Sequence, residues 1–246
     1  MRGRDYSVRG MLDSPGFRRR QALRKWGSWA FSVALAAVPL ASAARAGTLR
    51  GTVAVLEKDG ERAQDTTDAV VWVEGPQPSR ARPKDATVTM KSKAFLPRVT
   101  VVGVGASVEF PNQDAIFHNV FSVSGDNRFD LQLYKKPKTA SKVFEHPGVV
   151  RIYCNIHPQM SGFVLVRDNP FWAKVAADGS YTIPDVPAGT WVLKAWHERA
   201  GESAPQTVQV KDAGTLETSF TLDASKYKRA PHKNKFGKDY EVGEKY

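Results

Sequence analysis

The stretch "YCNIHPQM", residues 153–160, brings together three side chains that bind soft metals: Cys154, His157 and Met160. Cys154 is the single cysteine of the 246-residue chain, so an internal disulfide cannot form. An unpaired thiol of this kind is an inert buried group, an intermolecular link or a metal ligand. Its neighbours favour the ligand. A thiolate bonds covalently to copper, an imidazole serves both oxidation states, and a distant thioether raises the potential. Two imidazoles, one thiolate and a weak axial thioether are the donor set of a copper site that passes single electrons. The second imidazole is available in His118, within "FPNQDAIFHNVFSVS".

Such donors work only if rigid elements hold them around one point. From Gly47 onward the chain has few helix signals. It alternates β-branched and aromatic residues between Gly, Pro, Asn and Asp punctuation, which predicts an all-β protein. Strands are expected over 87–90, 99–102, 107–110, 118–123, 149–154 and 163–166. Gly103 and Gly105, Pro111-Asn112, Gly125-Asp126 and Pro147-Gly148 mark the turns between them. Short, evenly spaced strands imply a sandwich or barrel. Cys154 then ends one strand, His157 and Met160 lie on the loop before the next, and His118 opens an earlier strand.

With those residues placed, 86–167 resemble a cupredoxin. "FLPRVTVVGVGASVEFPNQDAIFHNVFSVS" is similar to that family's opening: an apolar residue, Pro, a Gly-turned hairpin, Asn and Asp, then a histidine. "PGVVRIYCNIHPQMSGFVLV" is similar to its closing loop, and the C-x2-H-x2-M spacing matches the short loop of the amicyanin branch. The resemblance implies a Greek-key β-sandwich holding one type 1 copper per chain, with His118, Cys154, His157 and Met160 as ligands. It implies that Asn119 helps to tie the ligand loops together. It also implies electron exchange through the edge of His157, within an apolar surface made by Ile116, Phe117, Ile156 and Pro158. The competing reading for Ile116 and Phe117 is that they belong to the core.

The histidine inventory narrows the chemistry. The five histidines are 118, 146, 157, 197 and 232. With two committed, the others fall in three different contexts, so the cluster of a multicopper oxidase cannot be built. Ser/His/Asp arrangements, phosphate loops, dinucleotide fingerprints and zinc-protease motifs are missing from the sequence. The chain reads as a carrier and not as an enzyme. His146, in "FEHPG", reads as a turn residue, and His197, in "KAWHER", as a residue of an exposed strand.

Two further pieces flank the copper unit. Residues 47–75 read as two strands joined across Asp59-Gly60. Residues 168–223 continue with turns at Asp178-Gly179 and Pro187-Ala188-Gly189. Together they resemble a carboxypeptidase regulatory-like domain, a small transthyretin-like β-sandwich, with "DGSYTIPDVPAGTWVLKAWH" as the most recognisable phrase. That resemblance implies a cupredoxin inserted between two strands of the second sandwich, with 76–85 as an exposed linker and "RDNP" as a short return. The alternative gives 47–75 to the copper unit as edge strands. Trp172, Trp191 and Trp196 are either core residues, the preferred reading, or platforms for a sugar. The basic tail 224–246 lacks periodicity and is expected to be disordered.

Of the formal charge of +11, residues 1–46 carry +7 (nine Lys and Arg against two Asp) and the remaining 200 residues only +4. The body is therefore too weakly basic to indicate a nucleic-acid partner. The basic lead "FRRRQALRKWG", the uncharged run from Trp26 to Ala43 and the Ala44-Arg45-Ala46 site read as an export signal, with Arg19-Arg20 resembling the twin-arginine type. Cleavage is expected near Ala46-Gly47, delivering the protein to the periplasm. Membrane contact would come only through the basic tail or an uncleaved signal. The expectation is a periplasmic type 1 copper protein exchanging electrons with a dehydrogenase or cytochrome. The alternatives are copper handling without electron transfer and an envelope or carbohydrate-binding role.

Overall fold

The computed structural model describes residues 46–75, 83–229 and 231–240. The export-signal reading lies outside these residues, as does most of the 76–85 linker. Among the described residues the regular structure is β-strand with two short 3-10 turns, so the chain is all-β, and none of their helices is long and apolar enough to cross a membrane.

Strands β1 (Gly47–Leu56) and β2 (Val70–Val73) come first. A central block follows: β3 (Ala86–Thr87), β4 (Thr89–Lys91), β5 (Ala94–Leu96), β6 (Val99–Gly103), β7 (Ala106–Pro111), β8 (His118–Ser122), β9 (Phe129–Tyr134), β10 (Thr139–Phe144), β11 (Gly148–Tyr153) and β12 (Ser161–Arg167). The last block comprises β13 (Trp172–Lys174), β14 (Ser180–Val186), β15 (Gly189–His197), β16 (Gly201–Glu202), β17 (Gln206–Val210), β18 (Thr215–Glu217) and β19 (Phe220–Asp223).

The central block makes a sandwich. A five-stranded sheet ordered β6-β12-β11-β8-β9 faces the three-stranded β10-β7-β3. Between them Val102, Val108, Phe110, Val120, Phe144, Ile152 and Val164 form one buried core. The expected strand over 87–90 is split at Val88, because β3 pairs with β7 while β4 forms a hairpin with β5.

Strands β1 and β2 pair with the last block. The four-stranded sheet places β14 and β18 on either side of β1, with β19 also on β1; the other sheet runs β13-β2-β15-β16, with β17 on β15. Leu49, Val55, Val71, Val73, Ile183, Leu193 and Phe220 fill this flanking sandwich. The two strands joined across Asp59-Gly60 are β1 and β2; they sit in opposite sheets, and the 3-10 turn at Lys58–Gly60 begins the crossing between them. Residues directly before and after the central sandwich are clamped together. Asn169, on the return segment, donates to the carbonyls of Val73 (2.8 Å) and Gly75 (2.7 Å).

Alternation explains how the two sandwiches adhere. In β2, Val71 and Val73 point into their own core, so Val70 and Trp72 must point outward. They meet Val99, Phe163, Leu165 and Trp196 in a third apolar cluster, against which Trp172 packs. Trp196 is thus an interface residue, and Trp191 packs on the flanking core with its indole N–H on the Pro187 carbonyl. Polar bonds reinforce the seam: Lys174 Nζ donates to the Val99 carbonyl at 3.0 Å, and Arg98 pairs with Glu198 while donating to the Ser161 carbonyl at 3.0 Å.

Two more expectations are corrected. His197 closes β15 but is buried, because it falls on the same inward face of the strand as Leu193 and Ala195. Residues 231–240 of the tail are not disordered; they make specific bonds to the central sandwich.

Candidate metal centre

Period-two alternation along β11 puts Val150 and Ile152 on the buried face and carries Cys154, the next inward position, to the strand end. The antiparallel register runs to Tyr153 opposite Ser161. One step further, Cys154 N–H donates to the Met160 carbonyl at 3.2 Å, and Met160 N–H donates to His157 O at 2.9 Å. The turn therefore folds the cysteine, the histidine and the methionine into one tight loop. Cys154 and Met160 are both buried in the central core.

β8 supplies the second imidazole. His118 and Val120 share the inward face, and His118 is fully buried. Its Nδ1 lies 3.0 Å from His157 Nδ1, which in turn lies 3.6 Å from Cys154 Sγ. The three donor atoms all lie within 4.8 Å of one another. Asn119, facing the other way, ties β8, β9 and the Cys154 loop together. Its side-chain amide donates to Asp130 Oδ1 (2.7 Å) and the Gln132 carbonyl (3.0 Å), its Oδ1 accepts Asn155 N–H (3.2 Å), and its own N–H points at Cys154 Sγ (3.5 Å).

One contributor escaped the sequence reading. Asp114 Oδ2 accepts from His118 Nε2 at 2.8 Å. The carboxylate also accepts the amides of Ser92 (2.8 Å) and Lys93 (3.0 Å), the two left-handed residues turning the β4–β5 hairpin. Its only sequence signal is an acid four places before the histidine. A carboxylate can only accept, so His118 carries its proton on Nε2 and presents a lone pair at Nδ1. Two imidazole nitrogens facing at 3.0 Å require a proton or a cation between them.

The local electrostatics suit a metal. Burial pushes the Cys154 thiol pKa up, with amide bonds from Ile156, Asn119 and His157 opposing. Burial, then repulsion from His118 and Lys93, lowers His157 to about 4, Asp114 pulling the other way. At neutral pH the imidazole is therefore an uncharged donor, and metal binding must expel the thiol proton. For Asp114, burial is outweighed by the Lys93 and Ser92 amides and the His118 ring, which hold its carboxyl below the usual range.

The expected exchange surface is mixed. Phe117 is 43% exposed beneath Lys135 Nζ, 5.3 Å from its ring centre. Pro158 is exposed and Ile116 and His157 are partly so, whereas Ile156 packs against the core.

The chain resembles known proteins in two places. The family model for polysaccharide lyase family 4, domain II matches residues 155–218, in place of the regulatory-like domain expected for the flanking sandwich. No curated protein matches the chain. The structural neighbours include cupredoxins and a copper-containing enzyme. The copper-containing nitrite reductase of Thermus scotoductus SA-01 is 27% identical over 39% of this chain, at a TM-score of 0.34; the chain spans only 26% of that enzyme. A purple cupredoxin of Nitrosopumilus maritimus is 25% identical over 34% of this chain and all of its own (TM-score 0.31). An amicyanin, a single-site variant in its Cu(I) form, is 27% identical over 34% of this chain and 82% of its own (TM-score 0.32).

Proposed function

We propose that this protein is a type 1 copper electron carrier working in the periplasm. The reading rests on one observation: the Nδ1 atoms of His118 and His157 and the Sγ of Cys154 converge within 4.8 Å, from two strands and a loop of one rigid sandwich. His118, Cys154 and His157 would hold the ion, with Met160, buried on the same loop, as a weaker thioether donor. Copper bound there would supply a single-electron couple. The chain's own residues do the rest. Asp114 fixes the His118 tautomer, Asn119 locks the two ligand elements together, and the surrounding core excludes water. Little then needs to move when the charge changes, which keeps exchange fast. Phe117, Pro158 and the edge of His157 form a small exposed surface suited to brief docking with a dehydrogenase or cytochrome. Export rests on the basic and uncharged segments before Gly47.

A visible and EPR titration with Cu(II) tests the site. An intense blue band with narrow copper hyperfine splitting, saturating at one ion per chain, is the expected result. A pale signal with normal hyperfine splitting would overturn the type 1 assignment. Rapid loss of copper to a chelator, with slow electron exchange, would point to copper handling instead.

A further inference from the structure

After β19 the chain leaves the flanking sandwich, and residues 231–240 reach the outer side of the loop that carries Cys154. Asn234 organises this segment as a reverse turn. Its Oδ1 accepts the amides of Phe236 and Lys238, both at 3.0 Å, and its own N–H donates to the Lys238 carbonyl at 2.8 Å. Gly237, at φ +76°, supplies the left-handed residue the reversal requires.

The turn brings three residues onto the loop and the strands beside it. His232 stacks on Tyr153, with ring centres 4.2 Å apart and planes inclined by 29°. The Tyr240 hydroxyl donates to the Cys154 carbonyl at 2.8 Å and lies 3.1 Å from His232 Nδ1. Lys235 uses both its nitrogens: its N–H donates to Asn155 Oδ1 at 2.9 Å, and its Nζ binds Asp130 Oδ2 at 2.6 Å. Asp130 and Asn155 are the partners of Asn119, whose N–H faces Cys154 Sγ. A continuous hydrogen-bonded path thus runs from the tail to the sulfur. It engages the loop just past the β11–β12 ladder, where the Cys154–Met160 bond is the last across the hairpin.

We propose that residues 231–240 are a built-in strap that positions the metal-binding loop, with Tyr240, Lys235 and His232 as its positioning residues. The role rests on the copper reading of the loop, but the mechanical part does not need the metal. The strap holds the Cys154 and Asn155 backbone in the ligand-bearing geometry before any ion arrives. It is the outer support that complements Asp114 on the inner side.

The test is the alkylation rate of Cys154 by iodoacetamide in the metal-free full-length chain. The buried thiol reacts only when the loop opens. Tyr240→Phe combined with Lys235→Ala removes two anchors, and the rate should rise about thirtyfold, each net hydrogen bond being worth roughly 1 kcal/mol. Lys238→Ala, an exposed side chain on the same strap, should react like the parent. Far-UV circular dichroism checks the fold; if the double variant fails to fold, Tyr240→Phe alone, which removes one oxygen, gives the same comparison. A rate equal to the parent's overturns the strap. In the copper-loaded protein the double variant should lose Cu(I) to a chelator about thirtyfold faster, following the same opening equilibrium. A parent lacking the blue band would overturn the copper reading alone, and the metal-free rates would still decide the strap.

Discussion

In the central sandwich the buried His118 and Asn119 reach Cys154 and its loop, while Asn112 and Asn127 pair only with backbone groups. In the flanking sandwich Asn169 and His197 are also buried, but each is satisfied by backbone near itself, Asn169 by Val73 and Gly75, and His197 Nδ1 by the Arg199 amide. Both sandwiches have valine-rich cores, filled out by Leu in the flanking one and by Phe and Met in the central one. Their architecture does not separate them. The difference is where the polar donors aim: at one another around a soft atom, or at local carbonyls and amides that need only to be paired.

That contrast can be tested in order of effect. Cys154→Ser should abolish the sulfur-to-copper absorption altogether while leaving the far-UV spectrum intact, since the change is nearly isosteric. A variant that stayed blue would remove the cysteine from the site. Trp72→Ala, at the seam between the sandwiches, should lose about 3–5 kcal/mol in urea unfolding, the range for deleting a buried large aromatic. The copper spectrum of the folded variant should be unaltered, because the seam lies on the outer face of β12; a bleached spectrum would show the two regions to be coupled.

Asn119→Ala should cost about 1–3 kcal/mol, because Asp130, the Gln132 carbonyl and the Asn155 amide lose a buried partner. Unlike the seam variant, it should also speed copper release to a chelator, and equal release rates would contradict its role between the ligand elements. The smallest effect belongs to His197. Its burial, with Arg199 adding and Glu198, Glu57 and Asp65 opposing, lowers its pKa below the ordinary 6.5. Between the folded and unfolded values the unfolded chain holds more protons, so stability is lost as pH falls below about 6.5. His197→Gln should lessen that loss in urea unfolding, leaving the share that His157, also lowered by burial, contributes. An unchanged profile would show that this histidine is not the group responsible.

Much of the site was legible because it is local. Cys154, His157 and Met160 lie on one hairpin loop, where spacing and alternation already dictate which side chains share a face. His118 was legible as the one further histidine opening an apolar strand within a matching pattern. Asp114 was not, since an acid in a loop of Asn, Gln and Asp has no distinguishing mark until the β4–β5 hairpin brings its turn amides to the carboxylate. The crossing of β1 and β2 into opposite sheets was hidden by "VVWV", whose unbroken apolar run does not tell a strand buried in one core from one shared between a core and a seam. The tail misled for a related reason. Its charge and lack of periodicity forecast disorder, but order came from single hydrogen bonds to a distant loop, and those leave no periodic signal.

The order of residues alone determined the all-β character, the strand alternation and the thiol–imidazole–thioether loop, because each depends on neighbours a few positions apart. Tertiary structure decided which imidazole faces His157, which hairpin turn holds the Asp114 carboxylate, and what supports the loop from outside. Those pairings join residues separated by 39, 22 and 86 positions, and only the closed sandwiches bring such partners within hydrogen-bonding reach.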